Sequence, residues 1–161
     1  MKFNTRRLIL FILLFSAITA VFFVATNFYT DQKQKTEVIV SEDLSQRTVE
    51  LRGQTIRVSI ADTPRTHEAG LGGRAGLAPD EGMLFIFREE GKHVFWMKDM
   101  SFPIDIVWIA SDGRVVYLAQ NVSPDTYPMS FVSTAPARYV LELPAGFSSE
   151  YGVIIGDIVR L

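Results

Sequence analysis

Residues 104–122, with the sequence IDIVWIASDGRVVYLAQNV, decide the fold class of this chain. Two apolar runs, 104–109 and 114–122, flank a Ser-Asp-Gly turn at 111–113. An Asp-Gly pair between apolar runs is among the strongest short-range signals for a β-hairpin. The stretch therefore predicts two antiparallel strands joined by a tight turn.

The same pattern of short apolar runs separated by turn residues continues on both sides of this hairpin, from about residue 47 to the C-terminus. Apolar residues that alternate over short runs are typical of strands, whereas amphipathic helices repeat every three to four residues. The pattern predicts a hairpin over 48–61, a second hairpin that pairs 83–87 with 93–97, and strands at 138–143, 153–155 and 158–161.

Two short helices fit between these strands. Thr63 is a suitable N-cap, Pro64 suits the first helical position and Gly70 ends the pattern, which predicts a helix over 64–69. Residues 147–151 can form one further helical turn. Seven or eight short strands with one or two short helices predict a mainly β (α+β) fold, arranged as a small closed or partly closed β-barrel.

Composition and charge limit the class of protein. The 161 residues are 48% hydrophobic and 21% charged, which suits one compact domain and argues against wholesale disorder. The absence of cysteine excludes disulfides, thiolate metal sites, cysteine nucleophiles and a lipidated cysteine. From residue 31 onward the chain has 13 basic and 18 acidic residues, so its net charge of −5 opposes binding to nucleic acid.

The N-terminal segment predicts a membrane anchor. Residues 8–25 (LILFILLFSAITAVFFVA) carry no charge and would form a helix of roughly 27 Å, close to the thickness of the hydrocarbon core of a bilayer. Lys2, Arg6 and Arg7 precede this run and favour a cytoplasmic N-terminus. We therefore expect residues 1–26 to form a signal-anchor, a single transmembrane helix that places the rest of the chain outside the cytoplasm.

Two alternatives to the anchor stay open. A secretory signal cleaved after Ala20 would have the same basic start and apolar run, and the domain would then be secreted. The other alternative is a buried helix of a globular domain. Residues 27–46 are polar and are predicted to form a tether, although a first edge strand at 37–41 is possible there.

Several sequence blocks resemble the domain-of-unknown-function 192 (DUF192) family. In order, they are EGMLF at 81–85, FWMKD at 95–99, PID at 103–105, DG at 112–113, RYVLELPAG at 138–146 and GD at 156–157. Their order and spacing match over about residues 48–161, and we assign residues 47–161 to a DUF192-like domain. The resemblance implies a small, β-rich prokaryotic domain, often found behind an export signal or anchor, with no established reaction.

The chain departs from the family pattern in its glycine-rich loop. Residues 69–74 read AGLGGR, where the family usually has a pattern similar to R-G-L-M-x-R. Asp99 stands where relatives commonly have Asn. The loop does not match the dinucleotide-binding fingerprint either, because Ala75 occupies the place of the third glycine.

Trp96 and Lys98 are the first candidates for a binding site. Alternate side chains of a strand point to the same face, so these two side chains project together. An indole beside an ammonium group would suit a ligand with an anionic or carbonyl group. The structural alternative is that Trp96 fills the barrel while Lys98 reaches solvent or pairs with a carboxylate.

Asp105 stands inside an apolar strand, where a carboxylate is costly unless it is paired. It could pair with Lys98 or with Arg74 of the glycine-rich loop, at the mouth of a pocket. Equally, it could accept hydrogen bonds from backbone N–H groups as a structural cap. If Asp105 and Asp99 both lay beside Lys98, they could form an acid–base pair for hydrolysis.

Asp99, Tyr127 and Glu142 are secondary candidates. Glu142 lies between two leucines in a predicted strand, where it would either face outward or serve the same pocket as Lys98. Residues 123–136 include three prolines, and loops of this length often cover a site. Tyr127 and Phe131 are expected to anchor that loop to the rim of the barrel.

His67 and His93 are the two histidines of the chain. No H-x-x-x-H or H-x-H spacing links them, and the expectation is that both lie at the surface. The sequence therefore predicts neither a metal site nor any other cofactor.

The predicted function is that of a membrane-anchored, extracytoplasmic binding or interaction module of the cell envelope, and we favour a non-enzymatic role. Arg74, Trp96, Lys98 and Asp105 would surround a pocket roofed by residues 123–136, with a small molecule or an envelope polymer as ligand. One alternative is an envelope hydrolase or lyase with Asp105 as base and Lys98 as electrophile. Another is a structural accessory that docks on a second membrane protein.

Overall fold

The computed structural model describes residues 23, 26, 27 and 47–161. From residue 47 onward the strands are β1 (Arg47–Leu51), β2 (Gln54–Ala61), β3 (Glu81–Gly91), β4 (Val94–Trp96), β5 (Ile104–Ile109), β6 (Val115–Val122), β7 (Ser130–Val132) and β8 (Ala137–Pro144). The α-helices of this region are α1 (Pro64–Ala69) and α2 (Phe147–Glu150), and a 3-10 turn spans Pro124–Thr126. The predicted mainly β fold, with about eight short strands and two short helices, is confirmed.

Six strands form one mixed sheet in the order β1-β2-β3-β8-β5-β6, and β4 pairs with β7 in a separate two-stranded sheet. The hairpin predicted within 104–122 is present as the antiparallel pair β5–β6, and the hairpin predicted over 48–61 is present as β1–β2. The predicted hairpin between 83–87 and 93–97 is wrong. β3 instead lies between β2 and β8. The prediction failed because an apolar run in a sequence does not specify which strand it pairs with.

The connection between β2 and β3 contains α1, because parallel strands need a crossover rather than a tight turn. The Thr63 side chain accepts a hydrogen bond from the backbone N of Thr66 (3.2 Å), and the Thr66 hydroxyl oxygen accepts one from the backbone N of Thr63 (3.0 Å). Gly70 ends the helix with φ +48°, a conformation that favours glycine. The helix predicted over 64–69 is therefore confirmed.

Each face of the six-stranded sheet is buried in its own apolar cluster, because successive residues of a strand point to opposite faces. On the first face, side chains such as Leu84 and Leu141 pack with the C-terminal residues Phe147, Val153 and Val159. On the second face, Phe85 and Trp108 pack with side chains from the loop after α1 and from the β4 region, namely Leu71, Phe95 and Met97. The candidate site lies on this second face.

The six-stranded sheet does not close, so of the predicted closed or partly closed barrel the closed form is wrong. The C-terminal segment bridges its two sides instead. Glu50 of β1 exchanges two backbone hydrogen bonds of 2.9 Å with Arg160, and Val115 of β6 donates one of 2.8 Å to Asp157. The strands predicted at 153–155 and 158–161 are reduced to isolated bridges at Ile158 and Arg160, because turns at positive-φ glycines interrupt this segment.

The segment 123–136 is more ordered than the predicted loop. It contains the 3-10 turn and β7, whose Phe131 lies opposite Phe95 of β4. Phe131 packs against the second apolar cluster, whereas Tyr127 is about half exposed, at 49%. Of the two expected anchors, Phe131 therefore packs as predicted, whereas Tyr127 does not.

The predicted anchor over 1–26 and tether over 27–46 lie outside the described residues, apart from residues 23, 26 and 27. Within the part of the chain that the structure describes, no helix combines the length and the apolar character needed to cross a bilayer.

Candidate functional site

A cavity of about 160 Å³ lies on the second face of the sheet. Its walls come from α1 and the loop after it, from β3, from the β4 region and from one residue of β8. The lining residues are His67, Glu68, Ala69, Gly70, Leu71, Gly72, Phe85, Phe87, His93, Val94, Phe95, Trp96, Lys98, Met100 and Glu142. Aromatic and acidic side chains thus share one small space with a lysine.

The glycine-rich loop positions Lys98 at this cavity. A Cβ atom on Gly72 would lie 3.1 Å from the carbonyl oxygen of Ala69 and 3.5 Å from that of Lys98. Glycine at this position therefore permits a close approach between the loop and the backbone at Lys98. The backbone N–H of Gly73 donates a 2.9 Å hydrogen bond to the carbonyl oxygen of Asp99. The loop after α1 is thereby fixed to the segment that follows β4.

Glu142 is the buried acid of the cavity. It is 5% exposed, and its neighbours across the sheet are Met83 of β3 and Ile106 of β5. Its Oε2 atom is buried and has no hydrogen-bond partner among the described residues. Burial raises the pKa of Glu142 to about 8, and the positive charge of Arg74 opposes this rise. At neutral pH the carboxyl group is therefore mostly protonated and can donate a hydrogen bond.

Trp96 and Lys98 both line the cavity, and both are exposed to solvent. They lie on the face of the β4 region that the alternation predicted, whereas Phe95 and Met97 point into the apolar cluster. The alternative in which Trp96 fills the core is wrong, because Trp96 is 54% exposed. The buried indole belongs to Trp108, whose Nε1 donates a 3.0 Å hydrogen bond to the carbonyl oxygen of His93.

Asp105 lies elsewhere, on the first face of the sheet, and is fully buried. Its Oδ1 atom accepts hydrogen bonds from the backbone N–H groups of Asn121 (2.8 Å) and Gly146 (3.2 Å), and its Oδ2 atom accepts one from Ser148 (2.7 Å). The residue therefore joins β5 to the end of β6 and to the start of α2. Of the two interpretations of Asp105, the structural cap is the one that the geometry supports.

The remaining candidates, Arg74, Asp99 and Tyr127, do not line the cavity. The Arg74 guanidinium is 3.4 Å from the Ser59 hydroxyl and influences Glu142 through its charge. Asp99 is an exposed turn residue with φ +59°, and Tyr127 belongs to the segment before β7. None of the described residues in the cavity wall comes from 123–136, so the predicted roof over this pocket is wrong.

The two histidines lie in the cavity wall, and the expectation that they are surface residues is wrong. Nε2 of His67 is 3.0 Å from the carbonyl oxygen of Ala61, which fixes its ring beside β2. His93 stacks on Phe87 with 3.4 Å between ring centres, and burial lowers its pKa below the usual value. The sequence did contain a signal for the position of His93, because alternation places His93 on the same face of the strand as the buried Phe95.

The described residues contain no group of three or more His, Asp or Glu side chains arranged to hold a metal ion. The titratable groups of the cavity are instead dispersed over α1, the β4 region and β8. Their arrangement suits hydrogen bonding and charge pairing to an organic ligand.

The DUF192 family model, which is described as "Uncharacterized ACR", matches residues 47–161 of this chain. A crystal structure from Sinorhizobium meliloti 1021, described as a candidate transcription regulator, is 38% identical, with a TM-score of 0.67 over 71% of this chain and 92% of that chain. A protein of unknown function from Novosphingobium aromaticivorans DSM 12444 is 28% identical, with a TM-score of 0.69 over 72% and 85%. No curated protein matches the sequence.

Proposed function

The chain belongs to the DUF192 family, which is uncharacterised, and on that premise we propose that its domain is a ligand-binding module with the cavity beside Glu142 as its binding site. The observation that carries this proposal is the buried Oε2 atom of Glu142, which has no hydrogen-bond partner among the described residues and belongs to a cavity wall. A buried polar atom without a partner costs about 1–3 kcal/mol. A ligand that supplies the partner recovers this free energy.

The size and lining of the cavity support a small ligand. An apolar cavity of about 150 Å³ can hold a benzene ring, and this one is of about the same volume, at 160 Å³. Phe85, Phe87 and Phe95 supply apolar ring surface, while Glu142 and Lys98 supply the polar groups. The wall thus combines polar and apolar surface, and small-molecule sites use a few placed polar groups to fix the orientation of the ligand.

The other functions expected from the sequence have less support. Both carboxylate oxygens of Asp105 accept backbone hydrogen bonds, so the hydrolase or lyase hypothesis lacks its general base. The description of the Sinorhizobium protein as a candidate regulator belongs to that protein. For this chain, a net charge of −5 from residue 31 onward argues against contact with DNA.

The binding proposal can be tested on the full chain by blocking the cavity. NMR chemical-shift changes would be recorded with benzoate, benzamide and benzylamine, which share one ring and differ in charge. We expect at least one probe to bind, and Ala69→Trp to abolish this binding because Ala69 lines the cavity. Ala75→Trp is the matched control, since Ala75 is exposed in the loop after α1 and does not line the cavity. Binding that survives Ala69→Trp, or no binding of any probe, would contradict the proposal.

We also propose that residues 8–25 anchor the module in the membrane, with a cytoplasmic N-terminus and an extracytoplasmic domain. The uncharged run of 18 residues after three basic residues supports this topology. Protease added to intact spheroplasts is then expected to digest the domain over 47–161. Protection in spheroplasts and digestion only after lysis would contradict it. Recovery of a shortened chain in the medium would instead support cleavage after Ala20 and secretion.

A further inference from the structure

We infer that the ligand of this cavity is a small carboxylate with an apolar body of about one ring, whose carboxylate accepts a hydrogen bond from the Glu142 carboxyl group and pairs with the Lys98 ammonium group. This inference rests on the proposed binding function and assigns the chemical class of the ligand.

The position of Glu142 makes it a hydrogen-bond donor. Its neighbours across the sheet, Met83 and Ile106, are apolar, and the Phe85 ring lies in the same cavity wall. An ionised carboxylate without hydrogen bonds is much more costly in such surroundings than the neutral acid. The raised pKa of Glu142, about 8, has the same cause. A neutral carboxyl group offers one O–H donor, and a ligand carboxylate is a strong acceptor for it.

The charged groups around Glu142 favour an anion. α1 contributes Glu68 and His67, the loop after it contributes Arg74, and the β4 region contributes His93 and Lys98. The wall residues of β3, Phe85 and Phe87, carry no charge, and Ile106 of β5 carries none either. In number the cations Lys98 and Arg74 are matched by the acids Glu68 and Asp99. Arg74 is nevertheless the charged group that acts on the Glu142 carboxyl group, so the charge felt at that group is positive.

A small organic cation is the competing class of ligand. It could stack on the aromatic rings of the wall and pair with an ionised Glu142. That arrangement would first require the buried acid to lose its proton, and it would place a second cation beside Lys98. Both steps cost free energy, whereas a carboxylate ligand needs neither.

The two classes differ in the pH dependence of binding. A carboxylate ligand needs the proton on Glu142, so its affinity is expected to stay constant between about pH 6 and 7 and to fall about tenfold per pH unit well above pH 8. Glu142→Gln keeps a hydrogen-bond donor and cannot titrate, so it should bind benzoate with no fall at high pH. Glu142→Leu removes the donor, and Lys98→Met removes the charge. Each should weaken benzoate binding about tenfold or more.

The experiment measures the affinities of benzoate, benzamide and benzylamine for the full chain from pH 6 to 9.5. Benzoate should bind best, benzamide less well and benzylamine least, and the fall in benzoate affinity at high pH should vanish in Glu142→Gln. Preferential binding of benzylamine, with an affinity that rises with pH and is lost in Glu142→Gln, would overturn the inference. If Ala69→Trp still blocked benzylamine, the proposed binding function would survive. A fall in benzoate affinity that persists in Glu142→Gln would also overturn the inference.

Discussion

Asp105 and Glu142 are two buried acids on the neighbouring strands β5 and β8, and they differ in whether the fold supplies hydrogen-bond partners for their carboxyl oxygens. Asp105 lies opposite Leu143 and Glu142 lies opposite Ile106, so the two acids are one register position apart. Because successive residues alternate between faces, their side chains lie on opposite faces of the sheet. Both are nearly inaccessible to solvent, at 0% and 5% exposure.

Their hydrogen bonds distinguish the two acids. Three backbone N–H groups, from Asn121, Gly146 and Ser148, donate to the two oxygens of Asp105. The Oε2 atom of Glu142 has no partner within the part of the chain that the structure describes. Burial alone therefore does not identify a binding residue. The distinguishing feature is whether the fold itself supplies the partners of the buried polar atom.

The largest expected effect is on stability, through Asp105. Asp105→Ala would leave three backbone N–H groups without their acceptor in a buried site, so we expect a loss of about 4 kcal/mol in the free energy of unfolding. Urea denaturation of the full chain measures this change. Asp62→Ala, at an exposed position, is the control and should change stability by less than about 0.5 kcal/mol. A loss below about 1 kcal/mol for Asp105→Ala would contradict its structural role.

The next effect is on the pH dependence of stability, through Glu142. Its pKa in the folded chain, about 8, lies above the ordinary value of 4.5, so between these values the folded state keeps a proton that the unfolded state has lost. The contribution of this group to stability is therefore fully present below about pH 4.5 and falls as the pH rises toward 8. Relative to Glu142→Gln, the wild type should lose about 2.5 kcal/mol between pH 5.5 and 7.5.

Urea titrations of both proteins at several pH values measure this difference, and the subtraction cancels the other titrating groups they share. Above about pH 9 the difference should become nearly constant, because Glu142 is then mostly ionised in both states. A constant difference over the whole range would mean that Glu142 titrates normally. The contrast with Asp105, whose partners belong to the fold itself, would then be lost.

Much of the fold could be predicted from the sequence because its signals are local. The Asp-Gly turn at 112–113 fixes the β5–β6 hairpin, and the cap at Thr63 with Gly70 bounds α1. Strand pairing between distant segments has no such signal. The apolar run of β3 would suit several partners, and only the parallel crossover through α1 places it beside β2 and β8.

Local patterns in the sequence also predicted the position of some residues of the candidate site. Alternation along the strand correctly put Trp96 and Lys98 together at the cavity. Alternation also shows that an acid such as Asp105 or Glu142 shares a face with buried residues, but not which backbone N–H groups reach it. The partners of Asp105 are 16 to 43 residues away in the chain. Only this long-range geometry shows that Asp105 is held by backbone groups, whereas Glu142 lies in the cavity wall.

The smallest expected effect is electrostatic and concerns Arg74, the cation that lowers the pKa of Glu142 against the effect of burial. Arg74→Met keeps a long side chain and removes the charge, so the pKa of Glu142 should rise further, by on the order of half a pH unit. Carbon-13 NMR titration of the Glu142 carboxyl carbon measures this shift directly. Arg47→Met, at the exposed start of β1, is the matched control and should leave the titration unchanged. Because this charge acts through partly aqueous surroundings, the shift should shrink as the salt concentration is raised. An unchanged pKa in Arg74→Met would show that Arg74 does not act on Glu142, and the positive charge at this carboxyl group that favours an anionic ligand would be lost.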